Sequence, residues 1–483
     1  MPAALPALLA DLRAIVGSAH VLTHDQPEAT DLSAWEQDWR RRSRGHALAV
    51  VLPASTAEVA GVVRACAARQ PGTGVSIVPQ GGNTGLVVGS TPDSSGRQIV
   101  LSLRRMQAVR GIDRDNLTMT VEAGCILQNL QTAAAQAGYL FPLSLAAEGS
   151  CTIGGNLGTN AGGTQVVRHG NTRDLCLGLE VVTAQGAIWH GLSGLRKDNT
   201  GYDLRNLIIG SEGTLGIITA ATLKLMPQPA AQLTAWAAVP SLDAAVALLG
   251  MAQRRLASGL TGFEVMGRFA LSLVARHFAQ PPVPLYRDTP WCVLMENSDH
   301  ESEHHARALF EALLEEALGR EYVTDAVVAE SLTQARQLWQ IRENIPLAQA
   351  QEGLNVKHDV SVPISRIPEF VRATDALLQA AIPGVRLVNF GHLGDGNLHY
   401  NVQAPVDVDD KEFLAQHEAA VNALVFDSVT RFDGSISAEH GIGSLKVDTL
   451  VQHKSAVALD MMRAVKRALD PTGLLNPGRV VRL

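Results

Sequence analysis

The sequence predicts a mixed fold of helices and strands in two halves, of which the first is α/β or α+β. Between about residues 46 and 225, short strands rich in Val and Ile alternate with helices, and two long glycine-rich segments interrupt them. Beyond this region, Ala- and Leu-rich helices lie between apolar strands, a pattern typical of an antiparallel sheet that is backed by helices. Residues 226–229 carry two prolines after a run of β-type residues, and we expect the boundary between the halves there.

The first half contains elements that local patterns predict. Leucines recur on one side of residues 4–16, which predicts an amphipathic helix. Residues 56–69 predict a second helix, with Ser55 or Thr56 as its N-cap. Two strands are predicted in this region, at residues 47–52 and 75–79.

The second half is predicted to alternate strands and helices. Its first three strands are expected at about residues 233–239, 291–297 and 322–328. The helices are expected at about residues 242–257, 302–317, 330–350, 365–380, 411–431 and 455–469.

Composition excludes several classes of protein. Of the 483 residues 46% are hydrophobic, and the formal net charge is −7. No basic run exceeds three residues, so nucleic acid is not expected as a partner. Five cysteines without a C-x-x-C pair indicate a reducing compartment. The chain lacks a stretch of 18 apolar residues and a secretory signal pattern, so we expect no membrane span and a cytoplasmic location.

Two glycine-rich segments, residues 79–85 and 150–163, are candidate phosphate-binding loops. Glycine-rich backbone lets several N–H groups approach a pyrophosphate without obstruction by side chains. Neither segment fits the Walker pattern or G-x-G-x-x-G, which disfavours a Rossmann nucleotide site. From the residues alone, phosphate binding and simple turns both remain open for these segments.

A candidate metal site follows from residues 392–401 and 439–443. Residues 393–397 contain two glycines and an Asp-Gly pair, so they predict a turn between two strands. In that hairpin His392 and His399 face each other, and Asn401 shares the face of His399. Downstream, Glu439 precedes His440 in a glycine-bearing segment. Two imidazoles and a carboxylate suit zinc, manganese or iron, with His440 left as a base. The alternative is that both hairpin histidines are satisfied by hydrogen bonds.

These motifs resemble known families. The glycine-rich segments, with residues 197–204 and 210–219, resemble the FAD domain of the vanillyl-alcohol oxidase / p-cresol methylhydroxylase (PCMH) superfamily. The second half is similar to FAD-linked D-2-hydroxyacid dehydrogenases through Gly-His-Leu-Gly-Asp-Gly-Asn-Leu-His and Ala-Glu-His-Gly-Ile-Gly. In motif it is closest to D-2-hydroxyglutarate dehydrogenases and next to D-lactate dehydrogenases. The resemblance implies three parts: a PCMH-type FAD-binding domain with the N-terminal helix (1–226), an antiparallel-sheet substrate or cap domain (227–435), and a C-terminal helical segment that returns to the FAD domain (436–483).

The resemblance also implies the cofactor and its contacts. Some superfamily members bond flavin through a histidine in the first loop, and this chain has Asn83 there, so FAD is expected to be non-covalent. Cys151 lies near the place where a few relatives bond flavin through cysteine, but its spacing differs. The implied FAD contacts are Gln80, Gly81, Gly82, Asn83, Thr84, Gly85, Leu86, Ser150, Gly154, Gly155, Asn156, Thr159, Asn160, Ala161, Glu212, Ile218 and Asn476.

The resemblance further implies that Arg342 and Lys357 contact substrate carboxylates. Asn401, which shares the face of His399, is a further candidate substrate contact. A guanidinium can bind a carboxylate bidentately, and a lysine adds a point charge. Pro346 stands where the best-matched enzymes carry threonine, and proline offers neither a hydroxyl nor an N–H. The physiological D-2-hydroxyacid therefore remains open, with D-2-hydroxyglutarate as the first expectation and D-lactate or a broader range as alternatives.

The implied reaction is oxidation of the hydroxyacid to a 2-oxoacid. His392, His399 and Glu439 would hold one divalent metal, zinc first and manganese, cobalt or iron as alternatives. His440 would remove the hydroxyl proton. Reduced FAD would pass electrons to an electron-transferring flavoprotein or a quinone, and a homodimer is one candidate assembly. Alternatives from other classes are a non-haem iron oxygenase, a metal-dependent hydrolase and a non-catalytic flavin-binding subunit.

Overall fold

The computed structural model of the chain describes residues 4–25 and 31–483. The chain folds into two structural units. The first comprises Met1–Ala161, Asn171–Pro227 and His440–Leu483, and the second comprises Gly162–Gly170 and Gln228–Glu439. The C-terminal segment thus packs within the first unit.

The first unit contains two main sheets. A four-stranded sheet has the order Val21–Leu22, Ala47–Val51, Gln98–Ser102, Ser76–Gln80, and its last three strands are parallel. A five-stranded antiparallel sheet has the order Val109–Asp113, Thr118–Glu122, Ile217–Lys224, Cys176–Val182, Ile188–Gly191. A short pair, Tyr139–Leu140 with Met226–Pro227, completes its strands among the described residues.

Several α-helices of the first unit begin with a side-chain cap. Ser55 accepts a hydrogen bond from Glu58 N at 3.2 Å, and Glu58 in turn accepts from Ala54 N at 2.8 Å, an arrangement close to a capping box. The helices are Ala4–Val16, Ser33–Glu36, Thr56–Thr73, Leu127–Gln136, Ile153–Thr159, Leu204–Ile208, Val447–His453 and Ala456–Leu469.

Two predictions in this unit need correction. The helix expected to end at residue 69 continues to Thr73, because Pro71 in the last turn removes only one intrahelical hydrogen bond. The second glycine-rich segment is not a loop throughout, since residues Ile153–Thr159 form a helix that Thr152 caps. The sequence prediction gave a loop because the segment is rich in glycine, and it did not take the N-cap Thr152 into account.

The second unit is built on one eight-stranded antiparallel sheet. Its order is Asp325–Val328, Ala231–Val239, Trp291–Asp299, Leu260–Gly267, Arg386–His392, Asn397–Gln403, Asn355–Val356, and Asp359–Ser361 also pairs with Asn397–Gln403. The predicted hairpin between Arg386–His392 and Asn397–Gln403 is confirmed.

Helices cover both faces of this sheet. In Trp291–Asp299, Val293 and Met295 belong to one apolar cluster, whereas Cys292 and Leu294 belong to another, so alternate residues pack on opposite faces. The helices are Val166–His169, Leu242–Leu256, Arg268–His277, Glu303–Gly319, Leu332–Glu343, Ile345–Glu352, Ile367–Ala381 and Asp410–Arg431.

The predicted helix at 330–350 is corrected to two helices. The first ends at Glu343, and the second begins at Ile345 with a proline in its first turn. Pro346 lacks the N–H that an uninterrupted helix would use, but it is well suited to a helix start. Asn344 is the joint between them.

All five cysteines are buried and unpaired. Burial raises the pKa of Cys66, Cys176 and Cys292 to about 12. Within residues 4–25 and 31–483, no helix has both the length and the apolar character needed to cross a membrane.

Candidate active site

The first unit contains a cleft with about 990 Å³ of space, including its open mouth. The strand Ser76–Gln80 leads into one wall, and the helix Ile153–Thr159 with residues 211–218 forms others. His440 also lines it. The two glycine-rich segments thus meet at one cleft.

Gly81 and Gly82 in this cleft are required by close approach. A Cβ at Gly81 would overlap with Thr152 Oγ1, and a Cβ at Gly82 would overlap with the carbonyl oxygen of Ser150. Any side chain at either position would force the first glycine-rich segment away from the second. The wall is therefore mostly backbone, which is the surface that a pyrophosphate can approach closely.

Two buried polar atoms in the wall lack hydrogen-bond partners among the residues that the structure describes. Gln80 donates its amide to Trp35 O and Ser90 O, each at 2.9 Å. Its Oε1 atom and the hydroxyl of Ser211 are buried and have no hydrogen-bond partner among the described residues. Because buried polar groups are nearly always bonded, these atoms fit a polar ligand in the cleft.

Most of the expected FAD contacts line this cleft, and five do not. Those that line it are Gln80, Gly81, Gly82, Asn83, Thr84, Gly85, Gly154, Gly155, Asn156, Thr159, Glu212 and Ile218. Leu86, Ser150, Asn160, Ala161 and Asn476 lie outside the lining.

Two of these five support the loops instead. Asn160 Oδ1 accepts from Arg173 N at 3.0 Å, and Asn476 Nδ2 donates to Gly89 O at 2.9 Å and Glu212 O at 2.7 Å. The sequence interpretation missed Ser211, which precedes Glu212 in the quoted motif but is a serine in an ordinary turn pattern.

Glu212 fixes the loop that follows His440. Its carboxylate accepts from Ile442 N at 2.7 Å and Gly443 N at 2.8 Å. Burial raises the pKa of Glu212, and these two backbone hydrogen bonds oppose that rise. Gly441 and Gly443 have positive φ angles of 80° and 53°, so the backbone after His440 is not a regular strand. The loop holding His440 is therefore positioned by a buried carboxylate.

In the second unit, the predicted metal ligands converge. The hairpin pairs Phe390 with His399, and Gly391 allows the strand to turn toward His392 because a Cβ there would lie 2.5 Å from Asn397 O. One potential ligand atom each from His392, His399 and Glu439 lies within 4.8 Å of the others. His392 Nε2 is 3.9 Å from Glu439 Oε1. These donors fit one zinc-like cation with coordination positions left open.

The electrostatics of this cluster depend on Glu264. Burial alone would lower the pKa of His392, but the Glu264 carboxylate, 2.6 Å from Nδ1, raises it to about 9. Burial would raise the pKa of Glu264, but His392 and Arg342 hold it at about 2. Burial also raises the pKa of Glu439 to about 7. A buried acid whose charge is costly is a suitable ligand for a cation.

Arg342 is the buried cation of the second unit that adjoins this cluster. Its Nε atom donates to Glu264 Oε2 at 2.8 Å, and its guanidinium lies 4.9 Å from the centroid of the Phe390 ring. The structure thus brings Arg342 and His392 to the two oxygens of one glutamate. Glu264 was missed by the sequence interpretation, although an acid within the apolar strand Leu260–Gly267 was a usable signal.

The other two expected substrate contacts lie in or between strands of the same sheet. Lys357 is half-buried between the strands Asn355–Val356 and Asp359–Ser361. Asn401 donates to Gln349 Oε1 at 2.9 Å and accepts from His358 N at 3.1 Å. Its amide therefore holds the segment after Lys357, and a contact of Asn401 with substrate remains a prediction.

Comparison with known families gives two matches. Residues 47–191 match the family described as "FAD binding domain". Residues 228–480 match "FAD linked oxidases, C-terminal domain". Together they cover both halves of the chain.

Three similar proteins are all named D-2-hydroxyglutarate dehydrogenase. A D-2-hydroxyglutarate dehydrogenase of Xanthomonas citri pv. viticola is 41% identical over 94% of this chain and 93% of its own length. A D-2-hydroxyglutarate dehydrogenase of Stutzerimonas stutzeri is 36% identical over 98% of this chain and 99% of its own. The bovine relative, named as mitochondrial, is 38% identical over 92% of this chain and 78% of its own.

Solved structures share the fold. p-Cresol methylhydroxylase with substrate bound has a TM-score of 0.75 at 16% identity, over 99% of this chain and 97% of that one. An alkyldihydroxyacetonephosphate synthase has a TM-score of 0.70 at 17% identity, over 98% of this chain and 84% of that one. The predicted PCMH-type α+β fold is therefore confirmed. The chain belongs to the family of FAD-linked oxidases, in the group that contains the D-2-hydroxyglutarate dehydrogenases.

Proposed function

We propose that this protein is an FAD-dependent dehydrogenase that oxidises a D-2-hydroxyacid, with D-2-hydroxyglutarate as the first candidate, to the 2-oxoacid. The single observation that carries the proposal is that Arg342 and His392 share the buried Glu264 carboxylate. This arrangement pairs a carboxylate-binding cation with a metal-capable histidine. The names of the relatives support the same substrate class.

We assign FAD to the cleft of the first unit, which its glycine-lined wall and unpartnered polar atoms fit. When bound, the flavin supplies the two-electron oxidation. Residues 80–85, the helix Ile153–Thr159, Ser211 and Ile218 would hold it.

Non-covalent binding is supported by two side chains. Asn83 uses its amide on Ala34 O at 3.1 Å and Gln37 O at 2.8 Å, and an amide is no nucleophile. Cys151 is buried beside Asn156, and burial raises the pKa of its thiol, so the reactive thiolate is disfavoured.

We propose that His392, His399 and Glu439 hold one divalent metal. Nitrogen and carboxylate donors favour zinc, with manganese, cobalt and iron as alternatives. When bound, such a cation polarises the substrate's hydroxyl oxygen and lowers its pKa. The residues themselves contribute fixed orientation, since Glu264 holds the His392 ring through Nδ1.

The remaining roles follow from charge and position. An imidazole nitrogen of His440 takes the hydroxyl proton, and Glu212 holds the loop that follows it through Ile442 N and Gly443 N. Arg342 presents its terminal nitrogens to the distal carboxylate of the substrate. Lys357 adds a second positive charge in the same unit.

A second candidate is a D-lactate or broader D-2-hydroxyacid dehydrogenase. Pro346 favours it, because a proline in the first turn of its helix offers a substrate neither a hydroxyl nor an N–H. Loss of one polar contact would weaken discrimination between a dicarboxylate and a monocarboxylate.

Anaerobic bleaching of the visible flavin absorption tests these proposals. The purified protein is mixed with D- and L-forms of 2-hydroxyglutarate, malate, lactate and 2-hydroxybutyrate, and with glycolate, each with and without prior EDTA. Bleaching by D-2-hydroxyglutarate that EDTA abolishes supports the main proposal. Equal bleaching by D-lactate supports the second candidate. A yellow protein that no hydroxyacid bleaches contradicts both candidate functions. A non-catalytic flavin subunit would give that result.

We further propose an electron-transferring flavoprotein or a quinone as the electron acceptor, a homodimer as the assembly and the cytoplasm as the location. The five unpaired, buried cysteines are consistent with a reducing compartment. The electron acceptor is tested by mixing the substrate-reduced protein with each candidate acceptor and following its oxidation. The homodimer is tested by measuring the protein's mass by light scattering.

A further inference from the structure

Glu264 connects two functional side chains. It lies in the strand Leu260–Gly267, directly opposite His392 in the neighbouring strand, and is fully buried. Its Oε1 atom accepts from His392 Nδ1 at 2.6 Å, and its Oε2 atom accepts from Arg342 Nε at 2.8 Å. Both oxygens are thus used, each on a different partner.

The contact with His392 decides which ring nitrogen can bind a metal. Because Nδ1 donates to Glu264, Nε2 is the nitrogen turned toward Glu439, 3.9 Å from Oε1. An imidazole ligand must present a lone pair on one nitrogen, and a carboxylate on the other nitrogen fixes its tautomer and orientation. Glu264 therefore sets the direction in which His392 offers its lone pair.

The contact with Arg342 decides which guanidinium nitrogens remain for substrate. Nε is held by Glu264, and the planar group stacks against Phe390 at 4.9 Å. Within residues 4–25 and 31–483, the two terminal nitrogens make no hydrogen bond, although only 8% of the side chain is exposed. A fork held in this way keeps two parallel donors for one carboxylate.

Glu296 is a second buried glutamate of the same sheet, but it has different partners from Glu264. Glu296, in the adjoining strand Trp291–Asp299, is also buried, and burial raises its pKa. It accepts from Thr261 Oγ1 at 2.8 Å and Trp339 Nε1 at 3.1 Å. No hydrogen bond or ion pair joins Glu296 to His392 or Arg342 in the part of the chain that the structure describes. Glu296 is therefore a matched control for Glu264.

We propose that Glu264 is a positioning residue that orients His392 and Arg342 together. Metal affinity and selectivity for a dicarboxylate would then depend on the same side chain. This inference rests on the proposed function and deepens it, since it names the residue through which the two binding properties are linked.

Zinc affinity and substrate selectivity test the proposal on the full-length, FAD-loaded protein. The protein is stripped with EDTA and titrated with Zn²⁺ in competition with a chromophoric chelator. E264Q is expected to bind Zn²⁺ about 10–100-fold more weakly than the wild type. For E264Q, the ratio of kcat/KM for D-2-hydroxyglutarate to kcat/KM for D-lactate should fall at least about tenfold. Losing the alignment of one charged hydrogen bond to the substrate has an effect of about this size. E296Q should leave both quantities within about threefold, because Glu296 shares no hydrogen bond or ion pair with His392 or Arg342 among the described residues.

A second pair of variants separates the two roles. E264Q leaves the guanidinium buried without an anion, so E264Q/R342M repeats the zinc measurement without that charge. R342M should lose selectivity and keep its zinc affinity, whereas E264Q/R342M should lose both. Wild-type zinc affinity in both E264Q and E264Q/R342M would overturn the proposal. A wild-type protein that binds no zinc would instead refute the proposed metal site, and the metal half of this inference with it.

Discussion

Replacing Gly443 with alanine is expected to displace the loop that carries His440. Gly443 has φ +53°, and a left-handed alanine costs about 1–2 kcal/mol. A Cβ there would also overlap with the carbonyl oxygen of Val87 and lie 2.7 Å from its carbon. Ordinary carbon contacts begin near about 3.5 Å and the oxygen is closer still, so the loop must move by at least about 0.8 Å, at a further cost of about 1–3 kcal/mol.

The rate of flavin reduction reports this movement. His440 is three residues from Gly443, and a misplacement of about 1 Å can slow a reaction by about 10²-fold. Stopped-flow mixing with D-2-hydroxyglutarate should show G443A to be about 10–100-fold slower than the wild type at equal FAD content. Thermal unfolding should show a total loss of about 2–5 kcal/mol.

Gly473 provides the matched control. It also has a positive φ of 65°, but a Cβ there would meet nothing within 4 Å. G473A should therefore carry only the backbone cost of about 1–2 kcal/mol and reduce flavin at the wild-type rate. Equal reduction rates in G443A and G473A would refute the reasoning, because they would show that the approach to Val87 does not position the loop.

Three further changes have definite expected results. H440N should keep FAD and zinc and slow flavin reduction by about 10²–10⁴-fold, and an unchanged rate would remove His440 as the base. R342A should raise the KM for D-2-hydroxyglutarate far more than for D-lactate, and parallel changes would exclude Arg342 from carboxylate binding. K466M removes donors to Thr214 O at 2.7 Å and Leu475 O at 2.8 Å and leaves Asp470 buried without its cation. Thermal unfolding should show a loss of about 3–5 kcal/mol, and K466M/D470N should lose less.

Elements with strong local signals were predictable. The amphipathic helix Ala4–Val16 and the strands Ala231–Val239 and Trp291–Asp299 follow from periodicity and apolar runs. The central strand Leu260–Gly267 was not predicted. The helix Thr56–Thr73 begins where Ser55 caps it, as expected. Its end was misjudged, because Pro71 is a helix breaker only where the hydrogen bond it removes would be needed.

Elements that depend on tertiary context were less predictable. The helix Ile153–Thr159 contains three glycines, and its local propensity argues against it. In the structure its second residue, Gly154, is packed so closely on Ala123 that a Cβ would lie 2.7 Å from the Ala123 side chain. Gly154 is thus required by close packing, which a propensity scale does not contain.

The candidate site divides in the same way. His392 and His399 lie on one hairpin, so their proximity follows from the turn between them. Glu264 is separated from His392 by 128 residues, and only the order of strands in the sheet brings them together. Ser211 has its hydroxyl buried in the cleft, but nothing in its neighbouring sequence distinguishes it from a turn serine.

The five buried cysteines can be used to measure local opening of the native protein. A protonated thiol shielded from solvent reacts slowly with alkylating reagents, so labelling of each cysteine measures how often its surroundings open. Cys292 is the single cysteine of the second unit, whereas Cys66, Cys125, Cys151 and Cys176 belong to the first. Mass spectrometry of timed alkylation would therefore follow the two units separately in one sample. Cys151 lines the cleft, and its labelling rate would additionally record ligand occupancy.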